Sequence, residues 1–229
     1  VFVVMQNKFN LTVLKLREDM KKSSFGRIFH SSVIVRWKRN QRYYNNDNWR
    51  GTWKHDGGVI SNQASHHLDL LRTIMGEPKS IFAATSKHIA RIQCEDTALI
   101  IFKFKNKKTA IMEATTAMRP KNIEGSFSIM GTKGSAKIGG FALNKFDYYN
   151  TSKKINLLRY ETNPKSVYGI GHVKFYKHVL NSIKKNKKSE FEASEALKTV
   201  KMINAVYKSV EKKREIFFDE NLNSKKLGK

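Results

Sequence analysis

Cysteine is almost absent from this sequence. Cys94 is the only one in 229 residues, so no internal disulfide can form and thiolates cannot complete a zinc site. That usage fits a reducing, cytoplasmic compartment. No apolar run approaches the roughly 18–20 residues that span a bilayer. Val1 to Met5 and Leu99 to Phe102 are only strand-sized, and with no recognisable signal peptide the expectation is a soluble protein without a membrane partner. With 3 prolines and 13 glycines, the composition is neither collagen-like nor that of a linker or disordered tail. Acidic side chains are also scarce: 19 Asp and Glu face 44 Lys and Arg, a net charge of +25.

The remaining composition, 40% hydrophobic and 11% aromatic, suffices for one sizeable core and about one domain. A large positive charge invites a nucleic-acid reading, because lysines that neutralise phosphates release counterions. The basic residues do not cluster, however. The short runs Lys105 to Lys108 and Lys184 to Lys188 fall where a hairpin turn and a helix end are expected, and lysines at a helix C-terminus complement its dipole. Lysine outnumbers arginine 33 to 11. The expectation is a solvated basic surface with no nucleic-acid partner.

Along the chain, Val1 to Met5 reads as a strand. Asn10 then caps a helical stretch carrying Leu11, Val13 or Leu14, Leu16 and Met20, closed by Gly26. Ile28 to Trp37 alternates, with Ile28, His30, Ser32, Ile34 and Arg36 on one face and Phe29, Ser31, Val33, Val35 and Trp37 on the other. A polar, aromatic loop follows from Lys38 to Asp56, and Gly57 to Gly76 reads as a glycine-capped helix. The runs Ile81–Ser86, Ala90–Phe104, Thr109–Met118, Gly125–Met130, Ser135–Ile138 and Phe141–Tyr148 read as consecutive antiparallel strands. Helices are expected over His172–Lys185 and from Glu192 to Val210. This order predicts an α+β fold: a mostly antiparallel open sheet with helices packed on one face.

On a helical wheel of about 100° per residue, Ile60, Ala64, Leu68, Leu71, Ile74 and Met75 fill one arc of the Gly57–Gly76 segment. Asn62, His66, Asp69 and Thr73 fill the opposite face. His67 lies in the apolar arc, as a core histidine with a hydrogen bond would. His66, flanked by an amide at i−4 and a carboxylate at i+3, stands among groups that could hold one tautomer, as a general base requires. A solvated polar face is the competing reading. Gly57-Gly58 before the helix would let a ligand or another backbone approach closely, and Arg50 and Trp53 offer a forked cation and a flat apolar surface for an anionic sugar. Cys94 and the histidines show no metal-ligand spacing.

The segments Gln6-Asn7-Lys8-Phe9-Asn10, Tyr43-Tyr44, Trp49-Arg50-Gly51-Thr52-Trp53, Asp56-Gly57-Gly58 and Asn62 through Leu71, together with Gly125 to Gly140 and Tyr168 to His172 with Tyr176, resemble a known family. They are similar to the C-terminal domain of the glucose-fructose oxidoreductase/inositol dehydrogenase/MocA dehydrogenases, and within it to members that oxidise C3 of a UDP-N-acetyl-glucosaminuronic acid. The resemblance covers residues 1–217 and leaves 218–229 as a basic tail. It implies His66 and Asn62 as catalytic positions, Asn62 standing where aspartate is often found. It also implies Gln6, Asn7, Tyr44, Arg50 and His172 as substrate contacts, a nucleotide-sugar substrate, NAD(P) as cofactor of the complete enzyme, and a homo-oligomer through the open sheet face. The family's catalytic lysine and its Rossmann domain have no counterpart here. No Gly-x-Gly-x-x-Gly occurs, since Gly169-Ile170-Gly171 is followed by Lys174 and preceded by no strand. The chain is therefore expected to bind no NAD by itself: a fragment, one part of a split enzyme with a separate Rossmann subunit, or a non-catalytic sugar-binding or oligomerisation module.

Overall fold

The computed structural model describes residues 1–229. Its centre is an eight-stranded sheet of β1 (Ile28–Arg36), β2 (Pro78–Ser86), β3 (Thr97–Phe104), β4 (Thr109–Thr115), β5 (Glu124–Gly131), β6 (Gly134–Gly139), β7 (Lys145–Asn150) and β8 (Ile216–Phe217). The spatial order is β7-β6-β5-β1-β4-β3-β2-β8. Every neighbouring pair is antiparallel except β1 and β4, which run parallel with His30 opposite Thr109 and Arg36 opposite Thr115. The expected α+β sheet is thus present. Its strands are not simply consecutive hairpins, because β1 is inserted between β4 and β5.

Alternation along the strands decides which face is covered. Val33 and Val35 of β1, Ile81 and Ala83 of β2, Ile100 and Phe102 of β3, and Ala110 and Met112 of β4 point into one core. Helices α1 (Leu11–Lys21), α3 (Ser65–Met75) and α5 (Ala193–Lys212) supply its other half through Val13 and Leu16, through Leu68, Leu71 and Met75, and through Met202 and Val206. Gly76, at a φ of 91°, ends α3 in a conformation that side chains disfavour. Helix α4 (His172–Lys184) packs instead on a 3-10 turn, Gln6–Phe9. The final residues run beside α5: Phe218, Leu222 and Leu227 pack on the core, and Ser224 donates to Glu211 at 2.6 Å.

Three local expectations are corrected. Val1 to Met5 forms no strand beyond a single bridge from Phe2 to Glu192. Residues 57–64 are turns, and the helix begins only at Ser65. Strand β3 starts at Thr97 and not at Ala90, because the preceding loop wraps the Asp96 carboxylate, which accepts the backbone N–H groups of His88, Ile89 and Ala90 at 2.8 to 3.1 Å. The long loop after β1 also holds one short helix, α2 (Gln41–Asn45), capped by the side chain of Asn40.

Candidate active site

Three elements converge at one end of α3: the Gln6–Phe9 turn, the first turn of α3 and the start of α4. The turn and α3 are joined by an ion pair that the sequence gives no sign of. Lys8, with only 3% of its side chain exposed, places Nζ 2.8 Å from the Asp69 carboxylate, itself 2% exposed. Asp69 also accepts from Thr199 of α5 at 2.8 Å and lies 3.4 Å from Arg72. The polar face of α3 is therefore not solvated. Asp69 spends its charge on Lys8, Thr199 and Arg72 and makes no hydrogen bond to His66.

His66 sits on the first turn of α3 with a buried Nδ1 that has no partner in the protein. Burial holds its pKa below the ordinary range; the Asp69 charge pulls the other way, and the neighbouring His172 adds to the lowering. The imidazole is accordingly neutral at neutral pH, the form that can accept a proton. Gln6 donates to the Tyr168 carbonyl at 3.3 Å but leaves its own Oε1 without a partner, and the buried Asn7 Oδ1 is also free. A buried acceptor left unpaired costs about 1–3 kcal/mol. Such unpaired atoms on the turn and on the helix it contacts suit the wall of a polar ligand site.

The Gly169-Ile170-Gly171 segment closes this corner. A Cβ on Gly171 would overlap the Gln6 carbonyl, and Gly169, at a φ of 66°, would bring one within 3.1 Å of Asn10 Oδ1. These glycines serve close approach of backbone to the Gln6–Phe9 turn. They form no cradle for a dinucleotide phosphate.

The other expected site residues lie elsewhere. Asn62 stands in the turn before the helix and donates to Asp56 at 2.6 Å, off the helical stripe on which the wheel placed it. Tyr44 is buried, its hydroxyl 2.9 Å from Thr116 and its pKa pushed up to about 12 by burial. Arg50 lies 2.8 Å from Asp47 and stacks 4.1 Å over the Tyr43 ring. Tyr44 and Arg50 line an open polar cavity of about 840 Å³ bounded by residues 87–93, a cavity that none of Gln6, Asn7, His66 and His172 reaches. Trp53 is not Arg50's companion: it packs edge-on against Tyr207 at 5.2 Å. His67 is wholly buried against Trp37, 5.4 Å between ring centres, and burial pushes its pKa down to about 3. Neither of its nitrogens has a partner, contrary to the expected hydrogen bond.

Gly58 makes room for protein and not for ligand. A Cβ there would collide with Glu95, whose Oε1 accepts from the Ile60 N–H at 3.2 Å and the Tyr207 hydroxyl at 3.0 Å. Tyr207 in turn accepts the Gly58 N–H at 2.9 Å.

The family model described as "Oxidoreductase family, C-terminal alpha/beta domain" matches residues 17–217. The chain belongs to this family. Among solved structures, the WlbA dehydrogenase from Bordetella pertussis in complex with NADH and UDP-GlcNAcA is 32% identical with a TM-score of 0.90, over 96% of this chain and 65% of that one. The WlbA dehydrogenase from Chromobacterium violaceum, in complex with the same two molecules, is 35% identical with a TM-score of 0.86, over 96% of this chain and 63% of that one. This oxidoreductase-family chain thus spans less than two thirds of either relative. A levoglucosan dehydrogenase in complex with NADH, at 18% identity and a TM-score of 0.76, shares the fold. No curated protein matches the sequence. No helix of this family member is long and apolar enough to cross a membrane.

Proposed function

We propose that the chain is the substrate-side domain of an NAD-dependent UDP-sugar dehydrogenase, with His66 as the general base. The observation that carries this reading is the half-buried His66 imidazole, neutral and with a buried, unpartnered Nδ1, on the helix against which the turn carrying the free Gln6 and Asn7 acceptors packs. The likeness to two WlbA dehydrogenases that bind NADH and UDP-GlcNAcA supports the substrate class. Gln6, Asn7 and His172 would orient sugar hydroxyls, and His66 would take the proton from the hydroxyl being oxidised. Lys8 and Asp69 hold the turn and the helix that carry these groups in register. These residues do not fit a dinucleotide, since the one glycine pair with near-motif spacing is packed against Gln6 and Asn10. As His66 took the hydroxyl proton, the hydride on the same carbon would pass to the nicotinamide of NAD, leaving a ketone and NADH.

In the full-length enzyme, His66→Ala should lower kcat on UDP-GlcNAcA by about 10²–10⁴ with an unchanged melting temperature. Normal turnover by this variant would remove His66 from the mechanism.

The open sheet face supports a homo-oligomer. Phe82, Ile101 and Ile111 form one row across β2, β3 and β4, with Leu99 beside it, all exposed. Such a contiguous apolar row is the mark of an interface between copies. Ile101→Glu should reduce the sedimentation coefficient to that of a monomer, while stability of the isolated subunit moves by no more than about 0.5 kcal/mol.

A further inference from the structure

Residues 218–229, expected as a basic tail, lie beyond the family match and yet are bonded to the fold along their length. Phe218 donates its N–H to the Lys79 carbonyl at 3.0 Å, Glu220 meets Arg214 at 2.6 Å, and Asn204 of α5 accepts the Ser224 N–H at 3.1 Å. The firmest hold is Glu211 of α5. Its carboxylate accepts the buried Ser224 hydroxyl at 2.6 Å and the backbone N–H groups of Lys225 and Lys226 at 2.9 and 3.3 Å. Ser224 Oγ in turn accepts the Leu227 N–H at 3.0 Å. One carboxylate and one hydroxyl thus fix the turn that carries Leu227. Ordering a residue costs roughly 1–2 kcal/mol of backbone entropy, which a loose tail has no bonds to offset and this segment has.

What the turn delivers is contact with the loop that leads into α3. Gly228 donates its N–H to the Trp53 carbonyl at 2.8 Å, and the Lys226 ammonium lies 5.4 Å over the Trp53 ring. Leu227 sits so close to Gly57 that a Cβ there would come within 3.1 Å of its Cδ1. Helix α3 has no capping side chain, Ala64 standing at its N-cap, so its first turn takes its direction from the turns before it. Those turns are a continuous backbone ladder. The Gly58 carbonyl accepts the Asn62 N–H at 3.1 Å, the Val59 carbonyl accepts those of Gln63 and Ala64 at 3.1 and 2.9 Å, and the Ala64 carbonyl accepts that of Leu68 at 2.9 Å. Asp56 adds a side-chain tie to Asn62 at 2.6 Å. Bonded backbone therefore runs without a break from the residues that Leu227 and Gly228 touch to the turn that carries His66.

We infer that residues 218–229 form a strap that positions His66, with Leu227 and Gly228 setting the Trp53–Gly57 loop and the loop setting the first turn of α3. The inference rests on the reading of His66 as the base. Leu227 and Gly228 are then positioning residues, acting through α3. A base displaced by about 1 Å can lose about 10²-fold in rate, so a partial loosening of its support is enough to be read in turnover.

Steady-state kinetics of the full-length enzyme on UDP-GlcNAcA, together with amide hydrogen exchange, test this. Leu227→Ala should lower kcat about tenfold with KM changed by less than about twofold, and Leu227→Met should keep kcat near that of the unaltered enzyme. The amides of Asn62, Gln63, Ala64 and Leu68 should exchange about tenfold faster in Leu227→Ala. Leu222→Ala removes the same side chain on the other side of the Glu211 anchor and should leave both kcat and those amides unchanged. The strap is overturned if Leu227→Ala exchanges like the unaltered protein, or if Leu222→Ala matches its losses, which would make general loosening the cause. Turnover lost in His66→Ala but kept in Leu227→Ala removes the strap and leaves the base. Normal turnover by His66→Ala removes the base, and faster exchange at the entry to α3 in Leu227→Ala then upholds the strap alone.

Discussion

Two buried polar clusters flank the segment that enters α3, and they are built on opposite principles. On one side Glu95, Tyr207 and the Gly58 and Ile60 amides bond to one another, the aromatic ring of Trp53 closing over Tyr207. On the other, Gln6, Asn7 and His66 each keep a buried polar atom that no protein group meets, although Lys8 and Asp69 are tightly paired. Both clusters contain titratable groups whose pKa is displaced by burial, so displacement alone does not mark a functional site. What separates them is where the unspent hydrogen-bonding capacity points. In the Glu95 cluster it faces the chain's own Gly58, while the Gln6 and Asn7 acceptors and the His66 Nδ1 meet no group of the chain.

The contrast can be broken at several points. The largest difference should appear in turnover: Glu95→Gln should leave kcat of the full-length enzyme unchanged, against the loss of about 10²–10⁴ expected of His66→Ala. Equal losses would erase the distinction. Next comes Lys8→Met, which leaves the buried Asp69 charge with only Thr199 and the more distant Arg72 and should cost about 3 kcal/mol in urea unfolding. Adding Asp69→Asn to it should recover a substantial part of that loss, as expected when the penalty comes from an unpaired charge.

The smallest effect is on pH dependence, and its sign differs between the clusters. Burial raises the Glu95 pKa from 4.5 to about 7, so its contribution to stability is full below 4.5 and is lost as pH rises through about 7. His67 moves the other way, from 6.5 to about 3, so the fold loses stability as pH falls below 6.5 toward about 3. Unfolding midpoints at about pH 5 and about pH 8 should therefore show Glu95→Gln gaining relative to the unaltered protein at the higher pH. A gain at the lower pH instead would mean that Glu95 is charged in the fold.

Much of the fold could be read locally. Alternation placed β1 with Val33 and Val35 inward, and the wheel separated His66 from His67, because both periods are properties of a single segment. The Lys105–Lys107 turn and the lysine-rich end of α4 fell where their neighbours required. Long-range partners were not legible. Lys8 is one of 33 lysines, and nothing near it announces a burial that depends on Asp69 from another element. Gly57-Gly58 correctly signalled a close approach, but only the fold shows that Glu95 and Tyr207 make it. Arg50 and Trp53, three residues apart in the chain, diverge because the intervening turn sends them to different cavities.

The parallel pairing of β1 with β4 also bears on how the protein is made. His30 pairs with Thr109, 79 residues later, and on the opposite edge Ser31 bonds the carbonyl of Ser128, 97 residues later. At about 5–20 residues per second of synthesis, the central strand waits on the order of several seconds after emerging before either edge can be sealed. Until then its backbone N–H and C=O groups are open to any passing strand. The middle of the finished sheet is thus open to misassembly on both edges while the chain between is made, and contacts of such sequence separation place its folding among slow, topology-limited cases.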